Sequence, residues 1–457
     1  MSRQERRAIS RKSTLTLAVV AGTLGLPMTV QEAAAAFIED SKANLTFKNF
    51  YINTDDRERT ASGRNTPRQE EWGQGFLFEF KSGFTEGPVG FGLDLIAQHA
   101  FRLDGGGRQG KNVEDLERTP GTIFPLESNG KAKTDFGRVN ATGKMRFSKT
   151  VAELGVLRPR LPVVVSNDGR LLPQMFHGAQ ITSNEIKDLT LVAGKLEHST
   201  ERNSGDSQGL SIVGANNIET GKFSNKFYYG GADYKVTKDL MLQYYFGNLE
   251  DFYEQHFVGL VHNLALPVGA LKTDLRYWNS DSAGANSRAS GRTEGYKSAG
   301  YWSAGDRDSG EVDNNAWSAL FTYTLGGHEL KAGYQKLTGN SDFPYLNQGS
   351  PSVPLITDAT VEKFARAGEQ TWLAGYAYDF ARVGIPGLKT SLVYFSGDDV
   401  DDERNGDEEW ERDFRVDYVL QEGTFKGLGF TYRNAAVRGI RERDDNRMTI
   451  SYTLPLM

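Results

Sequence analysis

Apolar and polar residues alternate strictly along segment after segment of this 457-residue chain. Between Thr449 and Leu456, Ile450, Tyr452, Leu454 and Leu456 share one face, and Thr449, Ser451 and Thr453 share the other. Trp317, Ala319, Phe321, Tyr323 and Leu325 repeat the pattern, as do Trp372, Ala374, Tyr376, Tyr378 and Phe380. A period of two is that of a β-strand with two chemically different faces. Aromatic residues gather near the ends of the apolar faces, while the opposite faces carry Lys and Arg. A barrel turned inside out satisfies both, with lipid against the apolar face and water against the polar one.

About 18 such strands are legible, near 43–53, 70–81, 88–101, 137–149, 151–158, 175–185, 188–199, 224–236, 239–249, 252–265, 269–280, 313–326, 328–339, 369–382, 386–397, 410–421, 425–438 and 446–456. Their connections fall into two sets. One set is short, as at 326–328 and 382–386. The alternating set is long and polar: 54–69, 102–136, 159–174, 200–223, 281–312, 340–368, 398–409 and 439–445, with 250–251 as a short exception. Short turns on one rim and long loops on the other are expected of an 18-stranded antiparallel transmembrane β-barrel, with periplasmic turns and extracellular loops. An open sheet of this size would leave aggregation-prone edges, so the first strand is expected to pair with the last.

Composition agrees with one large domain. No Pro- or Ser-rich linker divides the chain, the 51 Gly suit tight turns and a crowded wall, and Cys is absent. Residues 1–36 read as an export signal. Arg3, Arg6, Arg7, Arg11 and Lys12 precede a short apolar run, and Ala34 and Ala36 form a small-x-small site, so cleavage is expected near Ala36–Phe37. No other segment approaches 18 apolar residues, so no spanning helix is expected. Removing the five bases and two acids of the signal leaves 48 Lys and Arg against 57 Asp and Glu, which excludes a generic nucleic-acid binder.

Enzymatic constellations are weak. Gly105–Lys111 matches phosphate-loop spacing, but Asn112 stands where Ser or Thr is required. The acidic run Asp398, Asp399, Asp401, Asp402, Glu403, Asp407, Glu408 and Glu409 lacks the spacing of a calcium loop and reads as a solvated loop, or as a rim site for a divalent cation. The six His are scattered, and no nucleophile elbow occurs. Neither a catalytic residue, a metal nor a cofactor is expected.

The wet faces are more telling. With aromatics fixing the outward phase, Lys48, Arg138, Lys144, Arg146, Lys272, Arg276, Lys331, Arg415 and Arg433 point inward. Counting back from the turn near Glu422–Thr424 sets Arg415 and Arg433 opposite each other. Like charges so placed weaken a sheet but suit a wet lumen through which an anion passes. The competing reading pairs each cation with a carboxylate such as Glu79, Asp94, Asp274 or Asp417. The segment RPRLPVVVSNDGRLLPQ (158–174) is an apolar loop braced by Pro159, Pro162 and Pro173. Proline stops it from being a strand, and an apolar loop is costly on an exposed rim. It is expected to fold inward, narrowing the pore with Arg158, Arg160, Ser166, Asn167, Asp168 and Arg170.

These residues carry a resemblance. LPVVVSNDGRLLPQMFHG (161–178), FIEDSKANLTFKNFYINTD (37–55), ERDFRVDYVLQ (411–421), GLGFTYRNAAVR (427–438) and DDNRMTISYTLPL (444–456) resemble the OprD-type substrate-specific porins of pseudomonads and relatives. The resemblance covers nearly all of the chain after residue 36. It implies an 18-stranded outer-membrane barrel with a narrow pore, selective for small carboxylate-bearing nutrients that follow a ladder of Arg and Lys. Arg415 and Arg433 match the ladder best, and Ser166, Asn167, Asp168 and Arg170 match the constricting loop. One departure is Met457 at the end, where many outer-membrane barrels finish in Phe.

The YTLPL ending inclines the reading to aromatic or other organic acids, benzoate-like or tricarboxylate-like. A channel for basic amino acids or peptides is the alternative within the family, and an adhesin or barrel enzyme working through its long loops is the alternative outside it. Outer-membrane lipid and lipopolysaccharide are the expected surroundings. Monomer and loose trimer both remain open.

Overall fold

The computed structural model describes residues 37–57, 68–108, 118–212, 220–346, 352–401 and 407–457. The expected signal, 1–36, lies outside them. So do Gly110, Lys111 and Asn112 of the glycine-rich loop and Asp402 and Glu403 of the acidic one.

Eighteen strands form the wall. They are β1 Lys42–Asp56, β2 Arg68–Lys81, β3 Val89–Asp104, β4 Asp135–Phe147, β5 Thr150–Leu157, β6 Met175–Ser183, β7 Leu189–Thr200, β8 Phe227–Lys235 and β9 Leu240–Leu249. The second half holds β10 Tyr253–Ala265, β11 Ala270–Ser282, β12 Asp313–Leu325, β13 His328–Thr338, β14 Gln370–Asp379, β15 Leu388–Asp398, β16 Glu409–Val419, β17 Gly429–Gly439 and β18 Arg443–Pro455. Each pairs antiparallel with the next, and β1 pairs with β18 from Asn44 opposite Pro455 to Asp56 opposite Arg443. Closure leaves no edge strand. Two connections differ from expectation: β18 begins at Arg443, so the stretch read as a loop over 439–445 shrinks to 440–442, and Phe380–Val383, read as the end of a strand, form a 3-10 turn, so the turn expected at 382–386 spans 380–387.

The period-two pattern decides what each face meets. Outward-pointing Val139 (78% exposed), Leu154 (70%) and Phe91 (57%) would be a liability in water. Here they form the lipid-facing band. Inward-pointing Glu71, Gln255, Gln335 and Glu411 are buried because loops fill much of the barrel. One apolar cluster inside the wall joins Val163, Val164, Phe227, Tyr245, Phe257, Trp278, Phe343 and Leu346. A second, beside β1 and β2, joins Phe50, Ile52, Ile123, Phe124, Leu171 and Leu172. A third joins Ala359, Phe364, Leu373 and Phe395, so the barrel encloses three packed apolar masses.

Candidate functional site

Residues 158–174, between β5 and β6, run into the barrel. Proline interrupts any wall pairing, and the segment makes its own hairpin, Arg160–Leu161 against Val164–Val165. Its outer end reaches the far wall, where Val163 joins the cluster around Phe227 and the Trp278 indole donates to the Pro162 carbonyl at 3.0 Å. Its return docks Leu171 and Leu172 on β2. A Cβ at Gly73 would lie 2.7 Å from both Leu171 and Phe124, so the missing side chain is what lets the loop seat there. Burial of each leucine contributes about 1.5–3 kcal/mol.

The loop's tip is braced from within. Ser166 Oγ donates to the Gln174 carbonyl at 2.7 Å, and Gln174 Oε1 accepts from the Asn167 amide at 3.1 Å. Asn167 Oδ1 accepts from the Gly169 amide at 2.8 Å and from Arg202 at 3.2 Å. Ser166 and Asn167 are thus mainly structural, and both are buried. Asp168 is exposed and ion-pairs with Arg160 at 2.5 Å. Lys48, on the wall, donates to the Arg170 carbonyl. The Arg170 side chain faces an internal cavity with its Nε unpartnered.

A second segment enters, which the sequence reading left as a polar loop. Within the connection from β13 to β14, Val353, Leu355, Ala359 and Phe364 are buried. Wall carboxylates hold its backbone: Glu411 accepts from Val361 N at 2.9 Å and Glu362 N at 2.7 Å, and Asp413 from Thr360 N at 3.0 Å. Thr360 O in turn accepts from Arg447 at 2.9 Å.

Three arginines cross the wall in one row. Arg415 on β16 is the register partner of Arg433 on β17, and Arg433 is the partner of Arg447 on β18. Arg415 is held by Asp417 at 2.6 and 2.7 Å, and Arg447 by Asp445 at 2.6 and 3.2 Å. Arg433 has neither a hydrogen bond nor an ion pair among the described residues. Unlike those of Arg415 and Arg447, its donors are not taken up by a carboxylate among the described residues.

The other expected ladder members do not form one continuous track. Arg138 is a strut: it is buried and donates to Gln98 at 2.9 Å and to the carbonyls of Glu201 (2.7 Å), Ser204 (2.8 Å) and Pro173. Lys144 pairs with Asp94 at 2.5 Å, Arg158 with Glu79, Arg276 with Asp274 at 2.7 Å and Lys331 with Glu329 at 2.8 Å. The carboxylates Glu79, Asp94, Asp274 and Asp417 are thus each taken by a nearby cation. Arg146 lies over the Phe84 ring at 4.7 Å, and Lys272 is exposed on β11 toward the short-turn rim.

Between the two inward segments and the arginine row lies a cavity of about 680 Å³. Arg170, Arg202, Arg433, Arg441, Arg443 and Arg447 line it, together with Asp168, Asp358, Glu362, Asp413 and Asp445. Burial and the neighbouring Arg447 push the Arg202 guanidinium down to about 9. Arg170 is lowered further by burial, with Arg447 and Arg202 adding to it. Burial disfavours the charged form of a guanidinium. An anion in the cavity would favour it.

Arg202, Arg441, Arg443, Arg447 and the segment 352–369 were missed. Arg447 was accessible: Met448, Ile450 and Tyr452 face lipid, so 447 must face inward. Pro351, Val353, Pro354 and Leu355 also repeat the proline-braced apolar signature that marked 158–174.

Comparison with known proteins agrees with this architecture. A family model described as "outer membrane porin, OprD family" matches residues 35–456. Porin-like protein GalP of Pseudomonas putida is 32% identical, over 95% of this chain and 97% of its own length. The crystal structure of OccK8 (OprE) of Pseudomonas aeruginosa shares 53% identity and a TM-score of 0.84, covering 92% of this chain and all of that one. The structure of OpdK with vanillate, from the same species, shares 30% identity and a TM-score of 0.79, covering 92% of this chain and all of that one.

Proposed function

Because this chain belongs to the OprD family of outer-membrane porins, we propose that its lumen admits small carboxylate-bearing nutrients, aromatic or other organic acids. The observation that carries this reading is Arg433, an inward guanidinium without a partner among the described residues, between two arginines that have theirs. A carboxylate in the cavity has Arg433 and Arg170 within its lining. Each guanidinium can grip it through two parallel N–H groups. Arg202 and Arg447, which line the same cavity, add to the positive field that raises the local anion concentration. Because each contact is exchangeable, the solute also leaves. That the related OpdK was solved with vanillate, itself an aromatic carboxylate, supports the same class.

Uptake into liposomes and reversal potential in planar bilayers test the proposal. Arg433→Gln should cut benzoate and citrate uptake about tenfold at low salt, the loss of roughly one charged hydrogen bond. Selectivity should shift toward cations. If wild-type protein passes lysine and arginine better than benzoate, and Arg433→Gln leaves that order intact, the basic-amino-acid reading replaces this one.

A further inference from the structure

Arg412, on the lipid-facing side of β16, has no counter-ion among the described residues. Its neighbours in sequence, Glu411 and Asp413, point inward. Its guanidinium reaches only the uncharged amide of Asn434, and its Nε has no partner. Asn434 donates to Asn446 at 3.0 Å, which also accepts from Tyr432 at 2.9 Å, so the cation is held in place by neutral groups. A charge on the outer face of a barrel is tolerated near the interface, where polar or ionic groups of the membrane can reach it.

An aromatic shelf lies beside it. Tyr394 is the register partner of Arg412. The rings of Trp372, Tyr394 and Trp410 follow one another across β14–β16 with centroids 5.5 and 5.6 Å apart, and the last two are stacked. Toward the long-loop rim, β15 and β16 run into the acidic connection. Toward the membrane centre the next outward pair is Leu392 and Phe414, which begins the apolar band. Arg412 therefore sits at the boundary between headgroup and hydrocarbon of the outer leaflet.

An aromatic belt alone accounts for Trp and Tyr at this level. It does not account for a guanidinium among them that has no counter-ion among the described residues. Flat aromatic faces can lie against the apolar face of a sugar ring, and arginine binds phosphate through two donors. We propose that this face of β14–β16 is a binding site for the phosphorylated glucosamine headgroup of lipid A, with Arg412 on a phosphate and the Trp372–Tyr394–Trp410 shelf under the sugar. A glycerophospholipid offers the phosphate but nothing for the shelf.

The test uses the full chain in detergent, stripped of endogenous lipopolysaccharide. Native mass spectrometry follows binding of diphosphorylated lipid A, dephosphorylated lipid A and phosphatidylglycerol. The diphosphorylated form should bind at least tenfold more tightly than either of the others. Arg412→Gln should abolish that preference, Arg412→Lys should restore part of it, and single-channel conductance should stay at the wild-type value in both. Phosphatidylglycerol binding as tightly as lipid A, or an unchanged preference in Arg412→Gln, overturns the proposal. Should Arg412→Gln not fold, the wild-type ranking of the three lipids and the Arg412→Lys result decide it alone.

Discussion

Arg415 and Arg433 face each other across β16 and β17, yet only Arg415 has a carboxylate to hold. Asp417 binds it through two oxygens at 2.6 and 2.7 Å, and Thr431 donates to the same carboxylate at 2.7 Å. Adjacent arginines thus differ in how far a carboxylate offsets them. Arg415→Gln should therefore change ion selectivity little, while Arg433→Gln should shift the reversal potential clearly toward cations. The double variant should resemble Arg433→Gln and fold at least as well as wild type, since one like-charge pair is gone. Equal effects from the two single variants would contradict this division.

Lys48 fixes the inward loop through the Arg170 carbonyl. Lys48→Met keeps the side chain's bulk but removes the donor. A charged hydrogen bond of this kind contributes about 1.5–3 kcal/mol. Bilayer recordings should show more frequent current fluctuations and a higher mean conductance. A quiet channel of wild-type conductance would mean that Leu171 and Leu172 hold the loop unaided.

Gly73 and Gly75 give the loop its seat. At Gly75 a Cβ would lie 3.0 Å from Leu171, and at Gly73 2.7 Å from Leu171 and Phe124. Gly73→Val should displace the loop, widen the passage and cost about 1–3 kcal/mol through overpacking. Heat-modifiable migration on a denaturing gel would verify folding, and liposome swelling with solutes of graded size would report the width.

Glu369 makes the segment 352–369 sensitive to pH. It is fully buried beside Glu409, which Arg366 holds at 2.8 Å, and its own carboxylate accepts from the Arg366 amide at 3.0 Å. Burial first, and then the Glu409 charge, push its carboxyl well above the ordinary 4.5. The folded segment therefore keeps a proton that the unfolded chain releases. That contribution to stability is fully present below about pH 4.5 and is lost as pH rises through the raised value. Protease cleavage within 352–369 should become faster from pH 5 toward pH 8. Glu369→Gln should flatten the profile, and an unchanged slope in that variant would assign the dependence to another group.

Strand number, closure and the side on which Phe414, Val416, Tyr418, Arg415 and Arg433 lie were all readable in the sequence. Each follows from a local rule, the two-residue period, and one misplaced residue would have flipped a whole face. The inward course of 158–174 was readable too, because proline and an apolar run exclude both strand and exposed loop. What could not be read was which cation has a carboxylate partner. Arg415 and Arg433 occupy equivalent positions in their strands; only Asp417, two residues along β16, separates them. Arg138 looked like a wall cation, but it anchors Pro173, Glu201 and Ser204, segments 35 to 66 residues away. Pairing over such separations depends on loop paths, and no periodicity encodes these.

The apolar mass around Trp278, Phe257 and Phe343 occupies one side of the barrel's cross-section. Hoop size and aperture are consequently independent quantities in this protein. Hydrogen-bonded register sets the circumference, while the two infolded segments set the width of the gap left beside β16–β18. Substitutions in 158–174 or 352–369 can retune that gap without moving a wall hydrogen bond, so solute preference can drift between relatives whose hoops superimpose.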